Sequence, residues 1–364
     1  MPDLSRRSFT QLLTTAAAAA AMPAPVLART TPTPSVVRLS SNENPFGPSP
    51  AALASMREAF PLVCRYPDDE ADALVAALAK LHGVPASQVL IGAGSGELLR
   101  VAALAFTGPQ RHLVTADPTF EALGQHSRSI GAEVRAVPLD ARFAHDAGRM
   151  SEASRGAGLV YICNPNNPTA TITPDKHVRE LIGAVPPQTM VLVDEAYHHY
   201  VLSPEYKSVV DLASRQSNVI VLRTFSKIYG MAGLRCGYAV ASEDVIRKMR
   251  VHQMWDTVNV LAAVAARTSL ADQRHVAEHR KLNEQTRTWV AGQMRAHGHD
   301  VLPSEANFVM IDVGREVRPL ILAMRGRGVH VGRVFPAMPK HLRVTIGKVE
   351  EMKRFVEAFK AAAS

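Results

Sequence analysis

A short segment at residues 224–235 carries the side chains with the clearest capacity for chemistry in this sequence. The apolar residues 219–222 predict a buried strand, which places Lys227 just beyond its carboxyl end, where ligands collect in parallel sheets. A lysine there can form a Schiff base with a carbonyl cofactor, while Ser226 and Arg235 can hold an anionic group such as phosphate. The alternative is a solvated loop lysine beside a structural arginine.

A glycine-rich turn at residues 92–96 is a second candidate for phosphate binding. Residues 89–91 predict a short strand before it, and a helix is predicted to continue from it as far as Phe106. Glycines let the backbone approach an anion, and the free N–H groups at a helix start favour phosphate. A tight strand-to-helix turn requires the same glycines, so both interpretations stay open.

Three further side chains with suitable chemistry follow predicted buried strands. Phe120 can stack on a ring or belong to the core. The Asn-Pro segment around Asn167 offers donors and acceptors that suit a phenolic oxygen. Asp194 is costly to bury unless a group such as a pyridinium nitrogen pairs with it, although it can also cap a helix. With Lys227 they would share one edge of the sheet, which favours a common site.

The elements that would position these residues form an α/β pattern. Short apolar strands alternate with helices from residue 89 to residue 240, which predicts a mostly parallel sheet covered on both faces. Helices follow, and then a smaller α+β unit. We predict an N-terminal arm at 29–50, a large cofactor-binding domain at 51–250 and a small C-terminal domain at 251–364.

Within the smaller unit, Arg343 interrupts an alternating strand predicted at 342–346. Its guanidinium fork can take a substrate carboxylate in bidentate fashion, or it can be an edge-strand arginine in water. A second strand is predicted at 307–311, and helices are predicted at 317–326 and 350–363.

The composition is that of an ordinary globular protein. The chain has 364 residues, of which 47% are hydrophobic and 20% charged, so it can bury a large core. Its net charge of +8 comes from dispersed basic residues and only 5% of residues are aromatic, so a nucleic-acid groove is not expected. Three cysteines disfavour a disulfide framework. The pair His198 and His199 lacks further ligand spacing, so no metal site is expected.

The N-terminus predicts an export signal at residues 1–28. Arg6 and Arg7 precede an alanine run at 16–21, and the segment ends in small residues up to Ala28. This is typical of a twin-arginine signal, which implies a periplasmic or exported mature chain. The apolar part is about half of the ~20 residues that span a bilayer, so no permanent membrane anchor is expected. The alternative is a disordered tail on a cytoplasmic protein.

Taken together, the motifs over residues 36–362 resemble one family. The chain is similar to the fold-type-I pyridoxal-phosphate aminotransferases, and within them to the histidinol-phosphate aminotransferase-like branch. That fold has a large domain with a mostly parallel sheet covered by helices and a smaller α+β domain. The motifs, in family order, are LSSNENPFGPSP, RYPD, GAGSGELL, DPTF, NPNNPT, DEAY, TFSKIYGMAGLRCGY, ANF and LRVTIG.

The resemblance implies specific contacts to the cofactor ring of pyridoxal 5'-phosphate. Lys227 would be the Schiff-base lysine and proton shuttle, and Asp194 the partner of the pyridine nitrogen. Asn167 and Tyr197 would contact the ring hydroxyl. Phe120 would stack on the ring, at a place where the family commonly has tyrosine.

The resemblance also implies how the cofactor phosphate is held. The backbone at Gly94 and Ser95, together with the side chains of Ser226 and Arg235, would bind it. Tyr66 would reach the same phosphate from the partner subunit of a homodimer.

The reaction implied is ping-pong exchange of an amino group between a small amine and a 2-oxo acid. Arg343 would receive the α-carboxylate, and Arg333 and the loop near Asn44 would contact the rest of the substrate. Arg333 stands one position from where that family usually places its substrate-phosphate arginine, which leaves the amine open. Decarboxylation or oxygen-dependent oxidation of an amino acid, and cofactor binding without catalysis, stay as alternatives.

Overall fold

The computed structural model describes residues 36–363. The predicted signal at 1–28 and the first part of the predicted arm lie outside these residues. The described residues belong to one compact unit. The division into two domains near residue 250 stays a prediction.

A seven-stranded sheet forms the centre of the fold. The strands of the described residues are β1 Val37–Arg38, β2 Val89–Gly92, β3 His112–Asp117, β4 Val134–Pro138, β5 Ala157–Cys163, β6 Met190–Asp194, β7 Val219–Thr224, β8 Gly237–Ala241, β9 Phe308–Asp312, β10 Val329–His330 and β11 His341–Thr345. The strand order in the central sheet is β2-β8-β7-β6-β5-β3-β4. Strand β8 runs antiparallel to both its neighbours, and the other pairings are parallel. The predicted α/β fold with a mostly parallel sheet is therefore confirmed.

The central strands are apolar because both faces of the sheet are covered. In β5, Leu159, Tyr161 and Cys163 point into the hydrophobic cluster on one face. Val160 and Ile162 point into the cluster on the other face. Successive side chains of a strand face opposite ways, so a strand buried on both sides has no polar alternation.

Helices cover the sheet and connect its strands. They are Pro50–Ala59, Asp68–His82, Ser95–Phe106, Ala122–Ser129, Ala147–Ala153, Asp175–Ala184, Val210–Ala213, Glu243–Arg250, Val260–Ala271, Gln273–Ala296, Val317–Gly326 and Val349–Ala363. None of the helices within residues 36–363 is both long enough and apolar enough to cross a bilayer.

The C-terminal part has its own hydrophobic cluster. Strands β9 and β11 pair antiparallel there, and β1 pairs in parallel with β10. Val37 and Leu39 from the N-terminal segment pack in this cluster beside Phe355 and Phe359. The segment before residue 50 is thus attached to the C-terminal part before it passes the ends of the central strands.

Candidate active site

The carboxyl ends of the central parallel strands open into one cavity of about 370 Å³. Strands β3, β5, β6 and β7 each end close to a residue that the sequence singled out. The loop at residues 41–43 supplies another wall. The predicted site residues that line the cavity are Ser95, Phe120, Asn167, Asp194, Tyr197, Ser226, Lys227, Arg235 and Arg343.

Lys227 is held by the N-terminal loop that passes over the strand ends. Its Nζ donates to the carbonyl of Asn42 at 3.0 Å and lies 3.4 Å from that of Ser41. Burial, followed by the positive charge of Arg343, lowers the pKa of Lys227 to about 8. A lowered pKa makes the neutral amine, which is the nucleophilic form, available near physiological pH.

Asp194 is a buried carboxylate that forms no ion pair among the described residues. It accepts hydrogen bonds from the Tyr161 hydroxyl at 3.0 Å and the Ala196 N–H at 3.1 Å. Burial raises its pKa to about 6, against these two hydrogen bonds, which act to lower it. A protonated pyridine nitrogen in the cavity would supply the missing positive charge, so this side chain fits a pyridoxal ring.

A compact anion site lies at the start of the helix Ser95–Phe106. Nη1 of Arg235 lies 3.4 Å from the hydroxyl of Ser226, and both side chains line the cavity with Ser95. Gly94 precedes Ser95 at a φ of +79°, and a Cβ there would lie 2.2 Å from Nη2 of Arg235. Only glycine lets this arginine lie against the helix start, where N–H groups and the helix dipole favour a phosphate.

Another wall of the cavity is formed by Arg343. Its Nη1 donates to Oδ1 of Asn167 and its Nη2 to the carbonyl of Ser40, both at 2.7 Å. A guanidinium has five N–H donors, and the buried Nε has no partner among the described residues. Arg343 therefore retains donors for an anionic group on a substrate.

Tyr197 and Phe120 complete the walls. The hydroxyl of Tyr197 accepts a hydrogen bond from Nδ2 of Asn42 at 3.0 Å, and burial raises the pKa of this phenol. The Lys227 ammonium lies 5.5 Å from the centre of the Tyr197 ring. Phe120 is partly exposed at the cavity wall, as expected for a ring that has a face free for stacking.

Four of the predicted residues are not among those that line this cavity. One of them, Gly94, directly precedes the lining residue Ser95. Asn44 donates to the carbonyl of Ile228 at 2.7 Å and lies 3.0 Å from Nδ1 of His279. Arg333 lines a neighbouring cavity. Tyr66 is 79% exposed on the described chain.

Sequence reasoning missed Asn42 and Tyr161. Asn42 is buried, contacts Lys227 and Tyr197, and receives a hydrogen bond from Asn307 through its carbonyl. The sequence offers two asparagines in this loop and does not tell them apart. Tyr161 could have been found, because a phenol inside an otherwise apolar strand needs a buried hydrogen-bond partner.

His198 and His199 are half-buried and lie behind the loop that follows strand β7 and carries Lys227. Their ring nitrogens lie within hydrogen-bond distance of the hydroxyls of Tyr206 and Tyr229, respectively. Burial lowers the pKa of both imidazoles. Within residues 36–363, no group of three or more His, Cys, Asp or Glu side chains is arranged to hold a metal ion.

The sheet topology, a lysine and a buried aspartate at strand ends, and an anion site at a helix start define a fold-type-I pyridoxal-phosphate enzyme. Residues 34–359 match the family described as aminotransferase class I and II, and the chain belongs to that family. It is a pyridoxal-phosphate-dependent transaminase.

Named relatives cover nearly all of the chain. A histidinol-phosphate aminotransferase from Symbiobacterium thermophilum is 41% identical over 90% of this chain and 90% of its own length. One from Moorella thermoacetica is 38% identical over 89% of this chain and 85% of its own length. A Sinorhizobium meliloti histidinol-phosphate aminotransferase, solved in complex with pyridoxal-5'-phosphate, is 25% identical with a TM-score of 0.85, over 94% of this chain and 98% of that one.

Proposed function

We propose that this transaminase exchanges an amino group between a small amine and a 2-oxo acid, and that Lys227, Asp194 and Arg343 carry the reaction. The observation that carries the proposal is that these three side chains line one cavity. Such a cavity offers a base, a partner for a ring nitrogen and a receptor for a carboxylate to one bound molecule.

Lys227 is proposed to move the proton. When bound, pyridoxal phosphate supplies an electron sink for the negative charge that remains on the substrate carbon bearing the amino group once that carbon loses its proton. Nζ of Lys227, whose pKa is lowered to about 8, takes the proton from that carbon and returns one in the reverse half-reaction. The carbonyls of Ser41 and Asn42 keep Nζ close to the cavity during this transfer.

Asp194 and the residues around it are proposed to hold and orient the cofactor. The carboxylate of Asp194 would keep the ring nitrogen protonated, while Asn167 and Tyr197 would contact the ring hydroxyl and Phe120 would stack on the ring. The cofactor phosphate would lie against the start of the helix Ser95–Phe106, because hydrogen-bond donors suited to an anion lie there. Those donors are the backbone of Gly94 and Ser95 and the side chains of Ser226 and Arg235.

Arg343 is proposed to bind the α-carboxylate of the 2-oxo acid and of any amine substrate that is an amino acid. Three of its five N–H donors remain after its bonds to Asn167 and Ser40, which is enough for a bidentate contact. The names of the relatives make histidinol phosphate a candidate amine, to be screened with amino acids. Arg333 is proposed to contact the far end of the substrate, and Asn44 to support the loop that covers it.

Transamination is tested with purified, cofactor-loaded enzyme. Amines are mixed with the enzyme without a 2-oxo acid, and the loss of the lysine-bound cofactor absorbance is followed. A 2-oxo acid is then added, and the return of that absorbance with formation of the new amino acid completes the cycle. Release of CO₂ or peroxide in place of amino transfer would contradict the proposal.

We also propose that the chain acts as a homodimer. Tyr66 (79% exposed) and Trp255 (91% exposed) belong to a surface with Val251 and Met254, next to a groove along the helix Asp68–His82. A surface this apolar is typical of an interface, and a second copy would bring Tyr66 to the neighbouring phosphate site. Trp255→Ser is expected to lower the mass measured by sedimentation; an unchanged dimer mass, or a monomeric wild type, would contradict this.

We further propose export through the twin-arginine route, on the strength of residues 1–28. Substitution of Arg6 and Arg7 by lysine keeps the charge and removes the paired guanidinium groups. Cell fractionation is expected to find the wild-type chain outside the cytoplasm and the double variant inside it. Equal distribution of the two would favour a cytoplasmic enzyme.

A further inference from the structure

The hydroxyl of Tyr197 has a single hydrogen-bond partner among residues 36–363, the side-chain amide of Asn42. Nδ2 of Asn42 donates to this hydroxyl at 3.0 Å. Burial raises the pKa of the phenol, so it keeps its proton near neutral pH. Because the oxygen accepts from Asn42, the one proton of the phenol is left for a group in the cavity that Tyr197 lines.

The orientation of the Asn42 amide is fixed by Thr345. The backbone N–H of Asn42, which can only donate, donates to Oγ1 of Thr345 at 2.8 Å. That hydroxyl in turn donates to Oδ1 of Asn42 at 3.1 Å. With Oδ1 held on Thr345, Nδ2 is the amide atom that faces Tyr197.

The reversed amide would leave a buried proton without an acceptor. Oδ1 of Asn42 would then accept the proton of Tyr197, and the hydroxyl of Thr345 would face two donors. Asn42 and Thr345 are each only 2% exposed, so water does not replace the lost acceptor. A buried donor without a partner costs free energy, which selects the observed orientation.

We propose that Asn42 is a positioning residue whose amide directs the O–H of Tyr197 towards the ring oxygen of the cofactor. A hydrogen bond donated there stabilises negative charge on that oxygen. The inference rests on the contact between Tyr197 and the ring hydroxyl proposed above, and it assigns the direction of that contact.

The test compares two ligands of the cofactor-free enzyme, pyridoxamine phosphate and its 3-deoxy analogue, which lacks the ring hydroxyl. Neither ligand has an aldehyde, so neither bonds covalently to Lys227. Calorimetry gives both dissociation constants, and the Kd of the analogue divided by that of pyridoxamine phosphate isolates the contacts to the ring oxygen. Tyr197→Phe, which removes the phenol proton, is expected to lower this ratio about tenfold.

Two substitutions of Asn42 distinguish a positioning role from a structural one. Asn42→Asp keeps the side-chain shape and the acceptor for Thr345, but its carboxylate accepts the proton of Tyr197. At pH 8 the ratio should fall about tenfold, as in Tyr197→Phe. Asn42→Gly suits the φ of +54° and leaves the phenol proton free, so the ratio should fall by no more than about threefold. A structural role predicts the reverse order, because glycine loses the whole side chain.

A pair of substitutions at Thr345 tests how the amide is held. Thr345→Ser keeps the hydroxyl that fixes Oδ1 of Asn42, and its ratio should equal that of the wild type. Thr345→Val removes the hydroxyl and releases the amide, so its ratio should fall. Equal ratios in the two variants would contradict the assigned orientation.

The matched control is Asn218→Asp, which should leave the ratio unchanged. Asn218 donates to the carbonyl of Thr189 at 3.2 Å and directly precedes β7, at the end of that strand opposite Lys227. The inference is overturned if Asn42→Asp keeps the wild-type ratio, or if Asn42→Gly lowers it further than Asn42→Asp does. If Tyr197→Phe leaves the ratio unchanged, the proposed contact with the ring hydroxyl falls as well. A wild type that shows the expected ratios and converts no amine would end the transamination proposal alone.

Discussion

The hydroxyl of Tyr161 donates a hydrogen bond of 3.0 Å to the buried carboxylate of Asp194. The two side chains come from adjacent strands, because Cys163 of β5 is in register with Asp194 of β6 and Tyr161 lies two residues earlier. The phenol orients the carboxylate and stabilises its ionised form. The hydrogen bond between Tyr161 and Asp194 therefore contributes to the stability of the cofactor-free enzyme, and it also fixes the position of the carboxylate that faces the cofactor.

We predict that Asp194→Asn stabilises the cofactor-free enzyme at pH 8 by about 2–3 kcal/mol and leaves its stability at pH 4 nearly unchanged. Burial raises the folded-state pKa of Asp194 to about 6. The stability linked to this proton is present below the unfolded pKa near 4 and is lost as the pH rises through 6. Urea unfolding of the cofactor-free enzyme at both pH values checks the sign.

The same substitution is expected to lower turnover of the loaded enzyme by roughly 100-fold or more, because a carboxylate that stabilises charge at the reacting group is lost.

Tyr161→Phe tests the other member of this hydrogen-bonded pair. It removes a hydrogen bond to a charged group, so it should destabilise the empty enzyme at pH 8 by about 1.5–3 kcal/mol and have less effect at pH 4. Equal shifts for the two variants would contradict the assigned roles of this pair.

We predict that cofactor loading follows the neutral form of Lys227. The pKa of its amine is lowered to about 8 by burial and by Arg343. The rate of covalent loading onto the cofactor-free enzyme should therefore rise through pH 8 and then level off, instead of rising towards pH 10. Stopped-flow absorbance measures this profile.

Lys227→Ala should show neither covalent loading nor turnover. Lys176→Ala, at an exposed helix position, should behave like the wild type. A Lys227→Ala enzyme that keeps the lysine-bound absorbance and turnover would refute the assignment of this lysine. A wild-type loading rate that still rises above pH 9 would refute the lowered pKa.

We predict that Gly230→Ala pushes the loop that carries Lys227 away from the N-terminal loop that holds the Nζ of this lysine. Gly230 has a φ of +69°, and a Cβ there would lie 2.2 Å from the backbone of Gly47. The strained backbone and the collision together should destabilise the protein by about 2 kcal/mol or more. The control is Gly233→Ala, where the added Cβ meets no atom within 4 Å. Urea midpoints and cofactor affinity should both change only in the first variant.

The strand-end residues of the site were predictable because parallel strands end at a common edge. A buried strand followed by a polar residue places that residue at the edge whatever the rest of the fold does. Phe120, Asn167, Asp194 and Lys227 accordingly line one cavity. The helix at Val317–Gly326 was also predicted with its observed bounds, since its apolar spacing is regular.

The loops were less predictable because their positions depend on tertiary contacts. Asn42 and Asn44 lie two residues apart in one proline-rich segment, and only the path of the backbone decides which one faces Lys227. Asn42 has a positive φ and is fixed by Thr345, which donates to its side chain at 3.1 Å. The pairing of Arg333 with Glu121 joins residues far apart in the sequence, so no local pattern indicates it.

We predict that Arg343→Lys raises KM for 2-oxo acids roughly 30-fold or more, because a lysine keeps the charge and loses the bidentate fork. An amino alcohol without a carboxylate should be affected much less in the amine half-reaction, since it has no group to place on Arg343. Arg343 lines the cavity, and each of its two Nη groups keeps one N–H beyond its bond to Asn167 or Ser40. Arg327→Lys, at an exposed arginine, is the matched control and should change neither value. Equal losses for carboxylate and non-carboxylate substrates would mean that Arg343 supports the cavity wall and does not bind the carboxylate.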